Sequence, residues 1–337
     1  MRNDLDAPLE VTVVIAAYNR SKLITRALES VRNQLRTAKE IIVVDDASTD
    51  DTVEVATAWG KHHTFPVRVV KLPKNGGPAV ARNKGIELAR TEYIAFLDSD
   101  DEHVPTTLAR LVSSLDAFPD AVVSFADATV ITPGEIQEHG LLAPHLDLNR
   151  DAIQLQKENP VLYQFSDAKS KLLKASIIPT SATCFRRDAA LRAGGMPENI
   201  RSSEDWLFWL RLSQQGTFHF QLDDLARHHR HETNLTRPGD TEFIARQSIK
   251  ARLQLLVGER GITLTREQRE TVEQLVTQYL SIWRYNLSLL GIGAYIDGLK
   301  QFAADCPALL TKLHPLSDIK NLFRATYYSL RGLHKMH

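Results

Sequence analysis

Three carboxylates crowd the segment Phe96-Leu97-Asp98-Ser99-Asp100-Asp101, directly after an apolar run that starts at Tyr93. Acidic side chains do not belong inside a buried strand, so these mark its end, where the chain leaves the core. On an extended backbone Asp98 and Asp100 project to the same side. Two converging carboxylates can hold a hard divalent cation. Taken alone, Asp-x-Asp is more often an acidic turn or a helix cap. Further reactive groups lie elsewhere: Tyr18-Asn19, Asp45-Asp46, the pair Glu204-Asp205, and His228-His229-Arg230-His231.

The surrounding elements decide whether these groups can meet. Val11 to Ala17 and Glu40 to Val44 are nearly continuous in apolar residues, as strands buried on both faces would be. Val67 to Leu72 and Tyr93 to Leu97 read as two more strands. Helices are expected between them: one capped by Ser21, with Leu23, Ile24, Ala27, Leu28 and Val31 on one face, one after Asp51, and one opening at Pro78 behind the turn Asn75-Gly76-Gly77. Strand and helix alternating at this spacing imply right-handed βαβ units and a mainly parallel sheet, whose ligands bind beyond the carboxyl ends of the strands. Three of the four strands end in polar clusters, at Tyr18-Asn19, Asp45-Asp46 and Asp98-Ser99-Asp100. Neither G-x-G-x-x-G nor a P-loop occurs.

Farther along, Pro105 to Phe118 is expected to be a helix and Ala121 to Phe125 a fifth strand. Residues 127–178 read as an insertion beside the site. Pro179 to Phe185 reads as a strand, Asp188 to Ala193 as a helix, and Trp206 to Leu212 as a helix capped by Ser202 or Ser203. Thr217 to Leu222 alternates as a strand. From about Gly239 the pattern is helical; Thr265-Arg266-Glu267-Gln268 has capping-box form, with a stripe of Val272, Leu275, Val276, Tyr279, Leu280 and Trp283 behind it. The simplest partition is an α/β catalytic domain over 1–238, divided into a nucleotide-binding half (1–126) and an acceptor-side half (127–238), then a helical C-terminal region over 239–337.

With 337 residues, 43% hydrophobic and 24% charged, the composition is that of an ordinary globular protein. Lys+Arg and Asp+Glu both total 41, so nothing global points to nucleic acid. The two cysteines, Cys184 and Cys306, form no metal-ligand spacing and fit a reducing, cytosolic setting. The N-terminal residues lack the apolar core of a secretory signal, and no run reaches the length of a membrane span; Tyr285 to Ile296 is too short.

Five motifs, in order and spacing over roughly residues 10–236, resemble glycosyltransferase family 2 with its GT-A fold. They are Val-Val-Ile-Ala-Ala-Tyr-Asn-Arg (13–20), Ile-Ile-Val-Val-Asp-Asp-Ala-Ser-Thr-Asp (41–50), Asn-Gly-Gly-Pro-Ala-Val-Ala-Arg-Asn-Lys-Gly (75–85), Phe-Leu-Asp-Ser-Asp-Asp (96–101), and Gly-Gly-Met-Pro-Glu (194–198) running into Ser-Glu-Asp-Trp (203–206). The resemblance implies an inverting, Mn²⁺- or Mg²⁺-dependent transfer of a sugar from a nucleotide-sugar to a hydroxyl of a glycan or lipid-linked glycan, as in cell-surface polysaccharide synthesis. It implies that Asp100 ligates the metal, with Asp98 beside it on the ribose or the metal, and that His231 lies near the diphosphate as a further metal ligand. Asp205 takes the place of the general base. Tyr18 can stack on the nucleobase and Asp46 can accept the N3–H of uracil, which favours a UDP-sugar. Arg82 can meet the diphosphate or the base, or make a plain salt bridge. An Asp at a helix N-terminus is a weakened base, so an apolar or anionic counterweight is expected. Trp206, Phe208 and Trp209 can supply it, though they read mainly as core.

Two other readings stay beside this one. A sugar-1-phosphate nucleotidyltransferase would want a glycine- and Lys/Arg-rich loop after the first strand, which Ala16-Ala17-Tyr18-Asn19-Arg20 is not. A non-catalytic glycan-binding homologue would not need Asp98, Asp100 and Asp205 together. The C-terminal helices read first as a cap on the catalytic domain or a second subunit. Their basic, aromatic end (Arg324, Tyr327, Tyr328, Arg331, Lys335) also suits peripheral contact with the inner face of a membrane.

Overall fold

The computed structural model describes residues 7–132, 134–136, 140–235, 241–259, 261–305 and 319–331. Strands β1 (Leu9–Ala17), β2 (Ala38–Asp45), β3 (Val67–Lys71) and β4 (Tyr93–Asp98) alternate with helices α1 (Ile24–Arg32), α2 (Thr52–His63) and α3 (Pro78–Leu88). These four strands are parallel, in the order β3-β2-β1-β4. The chain continues through β5 (Glu102–His103), α4 (Thr107–Ala117), β6 (Ala121–Thr132), β7 (Glu135–Ile136), α5 (Leu148–Asp151), β8 (Ala152–Gln156), β9 (Leu162–Phe165), α6 (Ala168–Lys174), β10 (Thr183–Arg186), α7 (Arg187–Arg192), α8 (Glu204–Leu212) and β11 (Thr217–His229). The sheet extends as β4-β10-β6-β11-β9-β8, with β10 antiparallel to both neighbours and β11 parallel to β6.

Both faces of the sheet are covered, which explains the unbroken apolar strands. On one face Val13, Ile15, Ile41, Val43, Ala95 and Leu97 pack against Ala27, Leu28 and Val31 of α1 and Leu108, Leu111 and Leu115 of α4. On the other, Phe96, Phe185, Phe208 and Trp209 form an aromatic cluster with neighbouring ring centroids 4.8 to 6.3 Å apart. Helix α3 approaches β1 so closely that a Cβ at Gly85 would lie 2.2 Å from Val14 Cγ1. Glycine is what lets the two backbones meet there.

Several local readings of the sequence are corrected. Ser21 does not cap α1; its amide donates to Asp50 Oδ2 (3.1 Å), and Leu23 occupies the cap position with no side-chain bond. Neither Ser202 nor Ser203 caps α8; Ser203 sits in the left-handed region (φ 71°) and the helix already includes Glu204 and Asp205. The stretch read as a strand from Pro179 opens with a 3₁₀ turn, Thr180–Ala182. The insertion at 127–178 adds an edge to the same sheet, since β9 pairs with β11 and β8 with β9.

The chain divides into two compact units, residues 1–231 with 260–262, and 232–259 with 263–337. The boundary expected at residue 238 lies outside the described residues. The second unit contains α9 (Thr241–Gly258), α10 (Arg266–Ser288), α11 (Ile292–Asp305) and α12 (Ile319–Arg331). Thr265 and Gln268 form the capping box at the start of α10. Within the stripe behind it, Val272, Val276, Leu280 and Trp283 are buried; the Trp283 indole donates to Glu242 (2.7 Å) and packs on Phe302. No helix among the described residues is long and apolar enough to cross a membrane.

Candidate active site

The carboxyl ends of β1, β2 and β4 meet on one edge of the sheet. Tyr18, just past β1, leaves 43% of its surface exposed. Asn19 takes a left-handed backbone (φ 54°), accepts from the Thr49 amide (2.9 Å) and donates its own amide to Ser48 Oγ (2.8 Å). The loops after β1 and β2 are thereby tied to each other. Asp46 is buried, and its two carboxylate oxygens accept the amides of Gly76 and Gly77, each at 2.7 Å. Burial raises its pKa against the pull of those amides. The turn before α3 is thus pinned to the end of β2.

Extended geometry stops at Asp98. The Asp101 amide returns to the Asp98 carbonyl (3.0 Å), so Asp98 and Asp100 are separated by a turn and do not share the side that a straight strand would give them. Asp98 Oδ1 takes Arg82 Nη2 at 2.7 Å, and Arg82 Nη1 reaches Glu204 Oε1 at 2.9 Å. Arg82 is buried and so is not a surface salt bridge; it clamps the end of β4 to the start of α8. Three carboxyls, Asp98, Glu204 and Asp205, lie around this guanidinium, more negative charge than it cancels. Burial and the charge of Asp205 push Glu204 up to about 7, and burial raises Asp205 despite Arg82. Asp205 is held by the Trp206 amide on Oδ1 (2.7 Å) and the Thr180 hydroxyl on Oδ2 (3.2 Å). Burial is therefore the counterweight expected against the helix N-terminus, while Phe208 and Trp209 serve the aromatic cluster and the Trp206 indole bonds the Leu172 carbonyl.

Asp100 faces other partners. His231 Nε2 lies 3.0 Å from its Oδ2, and Arg20 Nε 3.5 Å away. Arg26 bonds its backbone carbonyl. Burial and the charges of Asp98 and Asp101 raise the Asp100 pKa. A carboxylate oxygen and an imidazole nitrogen at this separation suit Mg²⁺ or Mn²⁺, since two adjacent ligands at about 2.1 Å from an octahedral ion stand about 3 Å apart. Among the described residues no group of three or more His, Cys, Asp and Glu could hold an ion.

Asp101, expected from the sequence to cap the helix that starts near Pro105 or to brace the loop, braces this corner. It is buried, accepts from Ser181 Oγ (2.6 Å) and from the His229 amide (3.0 Å), and pairs with His228 Nδ1 (3.2 Å). The pairing raises the His228 pKa, and these donors lower that of Asp101 despite burial. Ser181 also accepts the Asp98 amide (3.1 Å), so adjacent hydroxyls on one 3₁₀ turn hold Asp205 and the Asp98–Asp101 turn. Sequence reasoning missed Arg20, Thr180 and Ser181 as members of the cluster, and noted His228 only within a reactive run whose role went to His231. Arg20 follows Tyr18 and Asn19 at a strand end already marked as polar; Thr180 and Ser181 carried no signal that separates them from a small-residue strand.

A mixed sheet whose acidic strand end faces an Asp/Glu-led helix defines a GT-A nucleotide-sugar transferase fold. Solved structures agree. S. aureus TarS 1-349 in complex with UDP-GlcNAc superposes with a TM-score of 0.60 at 20% identity, covering 97% of this chain and 93% of that one. The mannosyltransferase PcManGT from Pyrobaculum calidifontis, in complex with GDP-Man and Mn2+, gives 0.57 at 19% identity, covering 98% and 91%. The model of glycosyl transferase family 2 matches residues 12–192, more than half of the chain. The chain belongs to glycosyl transferase family 2, a family of sugar-transferring enzymes. Among curated relatives, the succinoglycan biosynthesis protein ExoO of Rhizobium meliloti is 42% identical over 113 residues, which are 34% of this chain and 32% of that relative. The match thus spans about a third of ExoO's length.

Proposed function

We propose that this chain is a metal-dependent, inverting glycosyltransferase of polysaccharide synthesis. In this reading it works in the cytoplasm and moves one sugar from a UDP-sugar to a hydroxyl of a glycan or lipid-linked glycan. The observation that carries the reading is the Arg82 clamp. It holds the end of β4, where the donor's diphosphate would lie, against the helix start that carries Asp205, so donor-side and acceptor-side acids form one cluster. Residues 1–126 would serve the nucleotide and 127–238 the acceptor.

Tyr18 offers an exposed ring on which a base can stack. Asp46, with two of its lone pairs spent on the glycine turn, keeps others for the N3–H of uracil. Asp98 would contact the ribose or the metal, and Arg82 would act through Asp98. Asp100 and His231 would hold Mn²⁺ or Mg²⁺, which when bound offsets the charge growing on a departing diphosphate. Asp205 takes the proton of the acceptor hydroxyl as that oxygen bonds to the anomeric carbon and the bond from carbon to diphosphate oxygen breaks. A single displacement with one base inverts the centre. The raised pKa of Asp205 makes it a better acceptor of that proton.

The test is nucleotide-sugar turnover with Mn²⁺ or Mg²⁺. Asp205→Asn is expected to lose turnover while keeping donor binding, read by thermal shift across a panel of nucleotide-sugars with metal present. Normal turnover in Asp205→Asn would remove it as the base. Equal stabilisation by every nucleotide would remove the preference for uridine.

A further inference from the structure

Helix α12 turns a fully apolar stripe outward. Phe323, Tyr327 and Leu330 are 72%, 49% and 83% exposed, and their spacing of four and three residues puts them on one face. The opposite face is fixed within the C-terminal unit: Ala325 is buried, and Ser329 Oγ accepts the Ile292 amide (2.9 Å). Arg324 lies over the Tyr285 ring (4.4 Å) and bonds Ser288 Oγ (3.3 Å). The helix cannot roll to hide its stripe without breaking these contacts. Tyr285, itself 48% exposed, widens the apolar surface along α10.

Charge says what this face meets. The α12 segment, Ile319–Arg331, contains Lys320, Arg324 and Arg331 and no acidic residue, in a chain whose formal net charge is +0. Lys320 and Arg324 are four apart and flank the stripe on the same side. We propose that α12 is a docking face for an anionic lipid surface, with Phe323, Tyr327 and Leu330 entering the boundary between headgroups and acyl chains and the cations meeting lipid phosphates. A second copy of the chain fits less well. Three side chains supply well under the roughly 800 Å² that each partner contributes to a stable interface. Symmetric pairing along the stripe would also bring the lysine and arginine rows toward each other. The inference rests on α12 alone and stands apart from the catalytic reading.

The experiment is co-sedimentation of the full chain with phosphatidylcholine vesicles, with and without about a third phosphatidylglycerol, at low and high salt. Binding to the anionic vesicles, weakened by salt and by Lys320→Glu, is expected. The double variant Phe323→Ser with Leu330→Ser should bind at least about tenfold more weakly, since each side chain forfeits its apolar burial. Its thermal unfolding, and donor turnover in solution, should match the parent. Equal sedimentation of parent and double variant, or no preference for the anionic vesicles, overturns the proposal. So does a concentration-dependent dimer that the double variant abolishes, because the stripe would then be a protein contact.

Discussion

Asp98 and Asp100 stand two residues apart at the end of one strand, yet they inhabit different chemistry. Asp98, its side chain 32% exposed, is tied to a buried guanidinium that also grips the buried Glu204. Asp100 is met by Arg20 at 3.5 Å and by His231 at 3.0 Å, and these partners come from segments at the ends of β1 and β11. Removing Arg82 strands the buried charge of Glu204, whereas Asp100 keeps one of its two partners when it loses the other. The turn from Asp98 to Asp101 creates this difference, and a straight strand would not have.

The largest effect expected from breaking the comparison lies at its fixed corner. Arg82→Met should destabilise the chain by about 3–5 kcal/mol, the usual result of leaving buried carboxylates without their cation. Urea unfolding measures it, and a loss below about 1 kcal/mol would show the clamp to be dispensable. Acid should attack the same interior. Burial pushes His103 and His219 down to about 4, below the ordinary value of 6.5, so both are neutral in the folded chain. The unfolded state binds protons first. The contribution of these two histidines is full above about pH 6.5 and falls as pH drops toward 4, by about 3 kcal/mol for His103 alone, while Glu204, raised to about 7, works in the opposite direction over the same range. His103→Gln should therefore lose less stability than the parent between pH 7 and 4, and an identical pH dependence in the two would contradict this.

The exchangeable corner should respond in activity. Asp100→Asn should lower metal-stimulated turnover by about 10²-fold or more, the worth of a few kcal/mol of charge stabilisation. Its unfolding free energy should stay within about 1 kcal/mol of the parent. An equal loss with and without added metal would place Asp100 on the fixed side. The smallest effect belongs to the hydroxyl that Thr180 donates to Asp205. Thr180→Val should reduce kcat about tenfold and move the acidic limb of the pH–rate profile upward, because a bond to the ionised Asp205 is gone. Thr180→Ser should restore both, and a drop in stability alone would reduce Thr180 to packing.

The parallel half was legible because its signals are local. Val11 to Ala17, Glu40 to Val44 and Tyr93 to Leu97 are each bounded by polar clusters, and Pro78 opens α3 as its fixed φ allows. The strand ends that gather Tyr18, Asp46 and Asp98 followed from that alternation. What escaped was set by long-range contact. Nothing near Thr180 announces Asp205, and nothing near His228 announces Asp101, 127 residues earlier. The caps assigned to Ser21 and Ser202 or Ser203 failed for the same reason: Asp50 captures the Ser21 amide, and Ser203 adopts a left-handed turn that carries Glu204 to Arg82. Arg82 could not be told from a surface residue until both of its carboxylate partners were in place.

Strand β11 brings His228 and His229 to Asp101, and His231 follows it to Asp100. These are the last residues of the continuous segment 1–231 to leave a ribosome. A nascent chain can complete β1 to β4, and with them the strand ends that carry Tyr18 and Asp46, long before its acidic turn is braced. Until β11 docks, Asp100 and Asp101 repel each other without their histidines. An unfinished or clipped chain should therefore lack Asp100 in its braced position.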